Sequence, residues 1–246
     1  MTHTAIDIEE LHVSYFGNEA ISNVSLTVQP GNLVGIIGPN GAGKSTFLKA
    51  MLGLIARDKG KVKILDQPVK EVRKQIAYVP QRNDIDWDFP ITALDAVLLG
   101  TYPGLKLFRR PGKKERQWAI KCLERVSMEE FSMRQLGELS GGQQQRVFLA
   151  RALAQNAEVF FLDEPFVGVD VSSEETIVKI LKELCWQGKT VVVVHHDLSK
   201  ANEYFNQLIL LNKELIGFGS VSEVLQSKVI EKAYQGHFAF MKEMGG

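Results

Sequence analysis

Cysteine is scarce in this chain. Cys122 and Cys185 are the only two in 246 residues, and they form no C-x-x-C pair. A disulfide-built scaffold is excluded, and reduced thiols in a cytosolic protein are expected. Excess charge of either sign is also missing. Lys plus Arg and Asp plus Glu number 29 each, so the formal net charge is zero. That balance exerts no general pull toward nucleic acid or an anionic membrane, and no nucleic-acid partner is expected. No apolar run approaches the roughly 18 residues of a membrane span. Met1 to Asp7 lacks the apolar centre of a signal peptide. A role at a membrane would therefore need a partner to hold the chain there. Internal repeats and low-complexity linkers are absent as well. What remains is a chain that is 45% apolar, which is enough for a real core. Its length suits one large α/β domain or a core carrying an inserted lobe.

One stretch organises the rest. Gly38-Pro39-Asn40-Gly41-Ala42-Gly43-Lys44-Ser45-Thr46 fits G-x-x-x-x-G-K-[ST], the phosphate-binding loop of nucleoside triphosphatases. Leu33 to Ile37 before it is apolar and β-branched, as a buried strand should be, and Thr46 to Leu52 reads as a helix. Strand, glycine-rich turn and helix start aim backbone N–H groups and a positive helix end at one point. The glycines let the backbone approach a triphosphate where a Cβ would intrude. Lys44 supplies a point charge for the β- and γ-phosphates, and Ser45 a hydroxyl for Mg²⁺.

In chain order, Ile6–Val13 and Asn23–Val28 read as strands, with Tyr15 to Asn18 between them. An aromatic there could stack on a base or serve as a turn residue. Lys61–Leu65 and Gln75–Gln81 are further strands, the second stopped by Pro80, so that Gln81 falls at a strand end where open α/β sheets place their site residues. From Arg82 to about Gln155 the strand pattern disappears. Thr92–Leu99, Lys113–Val126 and Gln143–Ala154 read as helices of an inserted lobe. Asp84, Asp86 and Asp88 imitate a calcium loop, but Phe89 stands where a sharp-turning glycine is required. A solvated acidic loop with exposed Trp87 and Phe89, suited to a protein contact, is the better reading. The basic run Arg109 to Arg116 reads as a solvated loop.

Leu139-Ser140-Gly141-Gly142-Gln143 opens a helix, with Ser140 as N-cap, and gives the chain a second anion-suited helix start. Val159 to Leu162 is an apolar strand ending in Asp163 and Glu164. Such an Asp helps hold Mg²⁺, and the Glu is free to act as general base on a water. Ser172–Gln187 reads as a helix, Thr190–Val194 as a buried parallel strand, and Leu208–Leu211 with Leu215–Phe218 as an edge hairpin followed by short helices to about Tyr234. His195 and His196 follow the buried strand. Neighbours at a strand end point to opposite faces, so one histidine faces the nucleotide and the other packs.

Taken together, Gly38–Thr46, Gln81, Leu139–Gln143, Asp163-Glu164, Asp170 and His196 resemble, in order and spacing, an ABC transporter ATPase subunit across essentially the whole chain. The resemblance implies an α/β fold: a RecA-like P-loop NTPase core (1–81 and 156–246) with an antiparallel β subdomain, and an inserted α-helical subdomain at about 82–155. It implies ATP and Mg²⁺ as ligands. Tyr15 then stacks on adenine, Gln81 reaches Mg²⁺ and the attacking water, Glu164 is the base, Asp170 belongs to the D-loop, and His196 meets the γ-phosphate. The metal ion is assigned to Ser45, Gln81 and Asp163, and the nucleotide to residues 38–46 with Ser140, Gly141, Gly142, Gln143 and Asp170. Val167-Gly168-Val169-Asp170 departs from the family's usual Ser-Ala-Leu-Asp but keeps the Asp. Trp87-Asp88-Phe89-Pro90, Pro165-Phe166-Val167-Gly168 and Val194 to Leu198 further resemble the bacterial manganese/zinc/iron-chelate importer branch.

The expected activity is ATP hydrolysis driving transition-metal uptake, manganese first and zinc or iron next, through a separate integral membrane permease. An extracytoplasmic metal-binding protein is an indirect partner, and the chain is expected at the cytoplasmic face of the membrane. The alternative is a soluble ATPase of iron–sulfur cluster assembly. A DNA-repair ATPase would need a long coiled-coil insertion for which there is no room, and Glu164 with His196 argues against a non-hydrolysing module. One phosphate loop and a second anion-suited helix start also imply a homodimer with ATP sandwiched between copies.

Overall fold

The computed structural model describes residues 3–87, 89–106 and 108–234. Asp88 of the acidic loop lies outside the described residues. The chain divides into two compact units, one of residues up to Val72 and from Val192 onward, the other of Arg73–Val191.

The first unit opens with β1 (Ile6–Tyr15) and β2 (Asn18–Val28), paired antiparallel with Tyr15 opposite Asn18. The second strand thus begins five residues before the apolar alternation suggests. Phe16 (φ 51°) and Gly17 (φ 79°) alone make the turn, with the two positive φ values of a tight hairpin. The strand β3 (Leu33–Ile37) is buried at every residue and feeds α1 (Lys44–Met51). Next come β4 (Lys59–Ile64), which pairs antiparallel with β1, the short β5 (Gln67–Pro68) and one helical turn, α2 (Val69–Val72). These strands form a four-stranded antiparallel sheet in the order β2-β1-β4-β5.

The second unit starts with β6 (Ile76–Val79), shorter at both ends than the sequence pattern suggests. Then come α3 (Ala93–Leu99), α4 (Lys113–Arg125) and α5 (Gly141–Ala154), linked by 3₁₀ turns. The following strand, β7 (Val159–Asp163), pairs parallel to β6 with Ile76 opposite Val159 and Val79 opposite Leu162. The helix α6 (Val171–Trp186) and the start of β8 (Thr190–Val194) complete the unit. Both β7 and β8 are buried throughout, as parallel strands covered on two faces must be.

Returning to the first unit, α7 (Ala201–Tyr204) leads to the hairpin β9 (Gln207–Asn212) and β10 (Glu214–Ser220), then α8 (Val221–Val224) and a last helical turn over 227–234. The strand β9 lies parallel to β3, with Val34 opposite Gln207 and Ile37 opposite Leu210. On the other side of β3, the His195 N–H donates to the Ile36 carbonyl.

Trp87 is not the exposed aromatic expected from its acidic neighbours. Its ring packs edge-on against Phe148 of α5 at 5.3 Å, and its indole N–H donates to the Arg82 carbonyl. Phe89 is 59% exposed.

Gly100 ends α3 with ordinary helical dihedrals, φ −62° and ψ −21°. A Cβ there would lie 2.1 Å from the Arg151 carbonyl oxygen of α5, so the helices pack backbone to backbone at this point. Gly100→Ala suits the local conformation and still forces the helices apart. It should cost about 1–3 kcal/mol, read from urea unfolding.

Candidate functional site

Within the first unit, β3 delivers the chain into the glycine-rich loop. At Gly38 (φ 151°) a Cβ would lie 2.1 Å from the Leu211 carbonyl oxygen, and at Gly43 (φ 86°) 2.5 Å from that of Ala20. The loop therefore passes between β9 on one side and β2 on the other, and only glycine fits at either contact. Gly43 is the N-cap of α1 and contributes no side-chain cap of its own, and the α1 start carries the positive end of the helix. Lys44 is 7% exposed, and its Nζ donates to the carbonyls of Gly38 (2.9 Å) and Pro39 (3.0 Å). The ammonium is thus held inside the loop it serves. Ser45 is half-buried on the same first turn, while Asn40 and Gly41 form the exposed rim.

Tyr15 is 44% exposed at the end of β1, in the hairpin whose other strand touches Gly43 through Ala20. His196 is exposed one residue beyond the His195–Ile36 contact, so it emerges at the same strand ends as the loop. His195 is 2% exposed and packs among Tyr204 and Phe205, with ring centroids 5.9 and 5.7 Å away. One histidine packs and the other reaches solvent.

The second unit gathers the remaining residues. Asp163 closes β7 and is fully buried, and Glu164 follows with φ 51°. That left-handed backbone is strained for a non-glycine residue and turns the carboxylate out of the strand direction. Gln81 Nε2 donates to Glu164 Oε2 at 2.6 Å, so two residues far apart in the chain meet at adjacent strand ends. The Tyr78 hydroxyl on β6 is buried. Its pKa is pushed far up, by burial first and then by the negative charges of Asp163 and Asp84.

Ser140 caps α5 reciprocally with Gln143. The Gln143 N–H donates to Ser140 Oγ (3.3 Å), and the Ser140 N–H to Gln143 Oε1 (2.9 Å). Gln143 is therefore engaged in the cap itself. A Cβ on Gly142 would lie 2.8 Å from Asp170 Oδ2, which sets the α5 start against the α6 start. Asp170 caps α6 by accepting from the Ser173 backbone N–H and hydroxyl, both at 2.9 Å. Those two bonds, the backbone one foremost, hold its carboxyl below the usual range.

Two residues of this cluster went unnoticed in the sequence. Gln144, 4% exposed, donates to the Leu136 carbonyl and accepts from Arg82. A polar residue at helical spacing from the apolar Phe148 was the available signal for it. Arg82 carried none.

The match to the ABC transporter family model covers residues 21–167. The chain is 54% identical over 234 residues to the manganese transport system ATP-binding protein MntB of Halalkalibacterium halodurans, covering 95% of this chain and 93% of that one. It is 46% identical over 238 residues to the zinc transport system ATP-binding protein TroB of Treponema pallidum, covering 97% and 90%. Among solved structures it is similar to a dimeric bacterial ABC transporter cassette, MJ0796, with a TM-score of 0.78 and 32% identity over 88% of this chain and 98% of that one.

The strain at Glu164 yields a stability test. Neither Glu164→Ala nor Glu164→Gly can bond to Gln81, but only glycine occupies φ 51° at ease. The Gly variant should be the more stable by about 1 kcal/mol in urea unfolding.

Proposed function

The chain belongs to the ABC transporter ATP-binding family, and from that premise we propose that it powers uptake of manganese, with zinc or iron the next candidates, through a separate integral membrane permease. Its activity is ATP hydrolysis coupled to transport. The observation that carries the cargo is the 54% identity to a manganese transport ATP-binding protein over nearly the whole of both chains. Among the described residues no helix is long and apolar enough to cross a membrane. In this reading the permease supplies the path and holds the chain at the cytoplasmic face. An extracytoplasmic binding protein delivers the ion to that permease.

The site reading supports each step with groups of this chain. Residues 38–46 wrap the phosphates, Lys44 leaves its loop carbonyls for the β- and γ-oxygens, and Tyr15 stacks on adenine. Glu164 takes the proton of the attacking water, Gln81 orients both, and His196 steadies the γ-phosphate. The buried carboxylate of Asp163, with the oxygens of Ser45 and Gln81, is a hard donor set of the kind Mg²⁺ prefers. Bound there, the ion offsets charge on the phosphates.

The second phosphate site, at Ser140, Gly141 and Gly142, is met by a second copy across a two-fold axis, with Asp170 beside it. The dimeric state of the MJ0796 cassette supports this arrangement. Residues 82–155 form the lobe that presents this helix start. The permease docks on the lobe at Phe89 and at an open groove of about 660 Å³ lined by Tyr102, Leu105, Lys106, Phe108 and Arg109.

Outcomes at the nucleotide site, the dimer interface, the docking surface and the transported cargo test this reading. Lys44→Ala should weaken ATP binding more than about tenfold, and Glu164→Gln should bind ATP without turnover, both read by calorimetry and phosphate release. Glu164→Gln with ATP and Mg²⁺ should elute as a dimer and with ADP as a monomer, and adding Ser140→Arg should restore the monomer. Phe89→Ser with Phe108→Ser should keep ATPase activity and lose recruitment to permease-containing membranes. Cells carrying the permease should take up radioactive manganese with the native chain and not with Glu164→Gln. Zinc uptake in place of manganese would reassign the cargo.

A further inference from the structure

We propose that Arg82 is a positioning residue. It locks the Gln81 turn, the start of α5 and the turn before α6 into one body, so that the general-base site and the second phosphate site move together. The inference deepens the reading of those two sites given above and rests on it.

Arg82 directly follows Gln81 and opens a 3₁₀ turn, 82–84, whose closing N–H on Asp84 bonds back to the Gln81 carbonyl at 2.9 Å. Its side chain leaves that turn for α5. Nη2 donates to Gln144 Oε1 at 3.1 Å, and the Gln144 amide N–H donates onward to the Leu136 carbonyl at 3.0 Å. The other terminal nitrogen fills the space between two glycines. A Cβ on Gly141 would lie 3.1 Å from Nη1, and a Cβ on Gly168 would lie 3.4 Å from it. The same Gly141 position is 2.9 Å from the Gly168 carbonyl oxygen, so the guanidinium seals a contact between the α5 start and the turn that carries Asp170.

Trp87 holds the arginine from behind. Arg82 Cζ sits 5.8 Å from the indole centroid, and the indole N–H donates to the Arg82 carbonyl at 2.9 Å. The indole packs against Phe148 of α5, whose other partner is Arg151, 5.5 Å from the ring centroid. The backbone carbonyl of Arg82 is therefore held by the Trp87 indole N–H, and its guanidinium by Gln144 and the indole face. A planar fork is required here. A lysine could reach Gln144 or the glycine gap with one ammonium, but not both.

The consequence follows from what is fixed. The Gln81 amide bonds to Glu164, and Gly141 and Gly142 present the second phosphate site. With Arg82 in place, a shift of Gln81 carries the α5 start with it. Without Arg82, the first turn of α5 and the 166–170 turn lose the guanidinium that spans them and ties both to the Gln81 turn.

The test uses the whole protein. Amide exchange of Gly141–Gln144 and Gly168–Asp170 is measured in the nucleotide-free state, alongside kcat, KM and binding of a fluorescent ADP to the monomer. In Arg82→Ala these amides should exchange about tenfold faster while amides of α4 are unchanged. The kcat should fall about tenfold to a hundredfold, with ADP affinity within twofold of the native protein. Arg82→Lys should recover only part of kcat. If Arg82→Ala fails to fold, Arg82→Gln, which keeps one donor toward Gln144, takes its place. Unchanged exchange overturns the proposal, and so does faster exchange with native kcat, which would make Arg82 merely structural. If the native protein hydrolysed no ATP, the site reading would fail, while the exchange measurement would still decide whether Arg82 holds these turns.

Discussion

The site depends first on crowding around a backbone. Between β3 and α1 the chain must pass against the Leu211 carbonyl at Gly38 and the Ala20 carbonyl at Gly43, at distances no Cβ tolerates. Two further bonds fix the passage: the Lys213 N–H donates to the Ala42 carbonyl (3.0 Å), and the Ser22 N–H to the Lys213 carbonyl (2.7 Å). A loop clamped by β2 and by the β9–β10 turn cannot relax. Its backbone path is already set, so little ordering remains to be done when a phosphate arrives. The glycines thus serve the fold and the ligand by the same means.

Much of this was legible in residue order. A buried strand, a glycine-rich turn and a helix are local features, and so are the alternation of β1 and the solid apolar runs of β7 and β8. Residue pairs far apart in sequence were not legible. Asn18 to Ser22 looks too polar for a strand, yet it forms one because β1 supplies its partners. Trp87 stands among aspartates and was expected outside, but its partner is Phe148, far along the chain. The left-handed backbone of Glu164 has no local signature, since glutamate rarely adopts it.

The contact between Gly142 and Asp170 shows why conserving residue type is not enough to read a site. Each residue was singled out as a member of its own motif. Their adjacency makes the proposed second phosphate site and the turn at Asp170 parts of one surface, with Ser173 beside both. A substitution in either stretch therefore acts on the other through contact, not through the nucleotide.

The two anion-suited helix starts are also unequal, and the inequality suits the proposed cycle. At α1 the cap is glycine, which has no side chain to take up a first-turn donor, and a lysine follows it. At α5 the cap is serine, and the Gln143 N–H is already committed to Ser140 Oγ. Gly141 and Gly142 add backbone donors and Ser140 its hydroxyl proton, while the nearby Arg82 guanidinium is already engaged with Gln144. The first start can hold a nucleotide alone. The second adds a few hydrogen bonds to a phosphate already bound, and each is worth about 0.5–3 kcal/mol, the upper end for a charged acceptor. In the proposed cycle, an interface built on that margin would close over a γ-phosphate and open once the phosphate is gone, while the nucleotide stays on the first start.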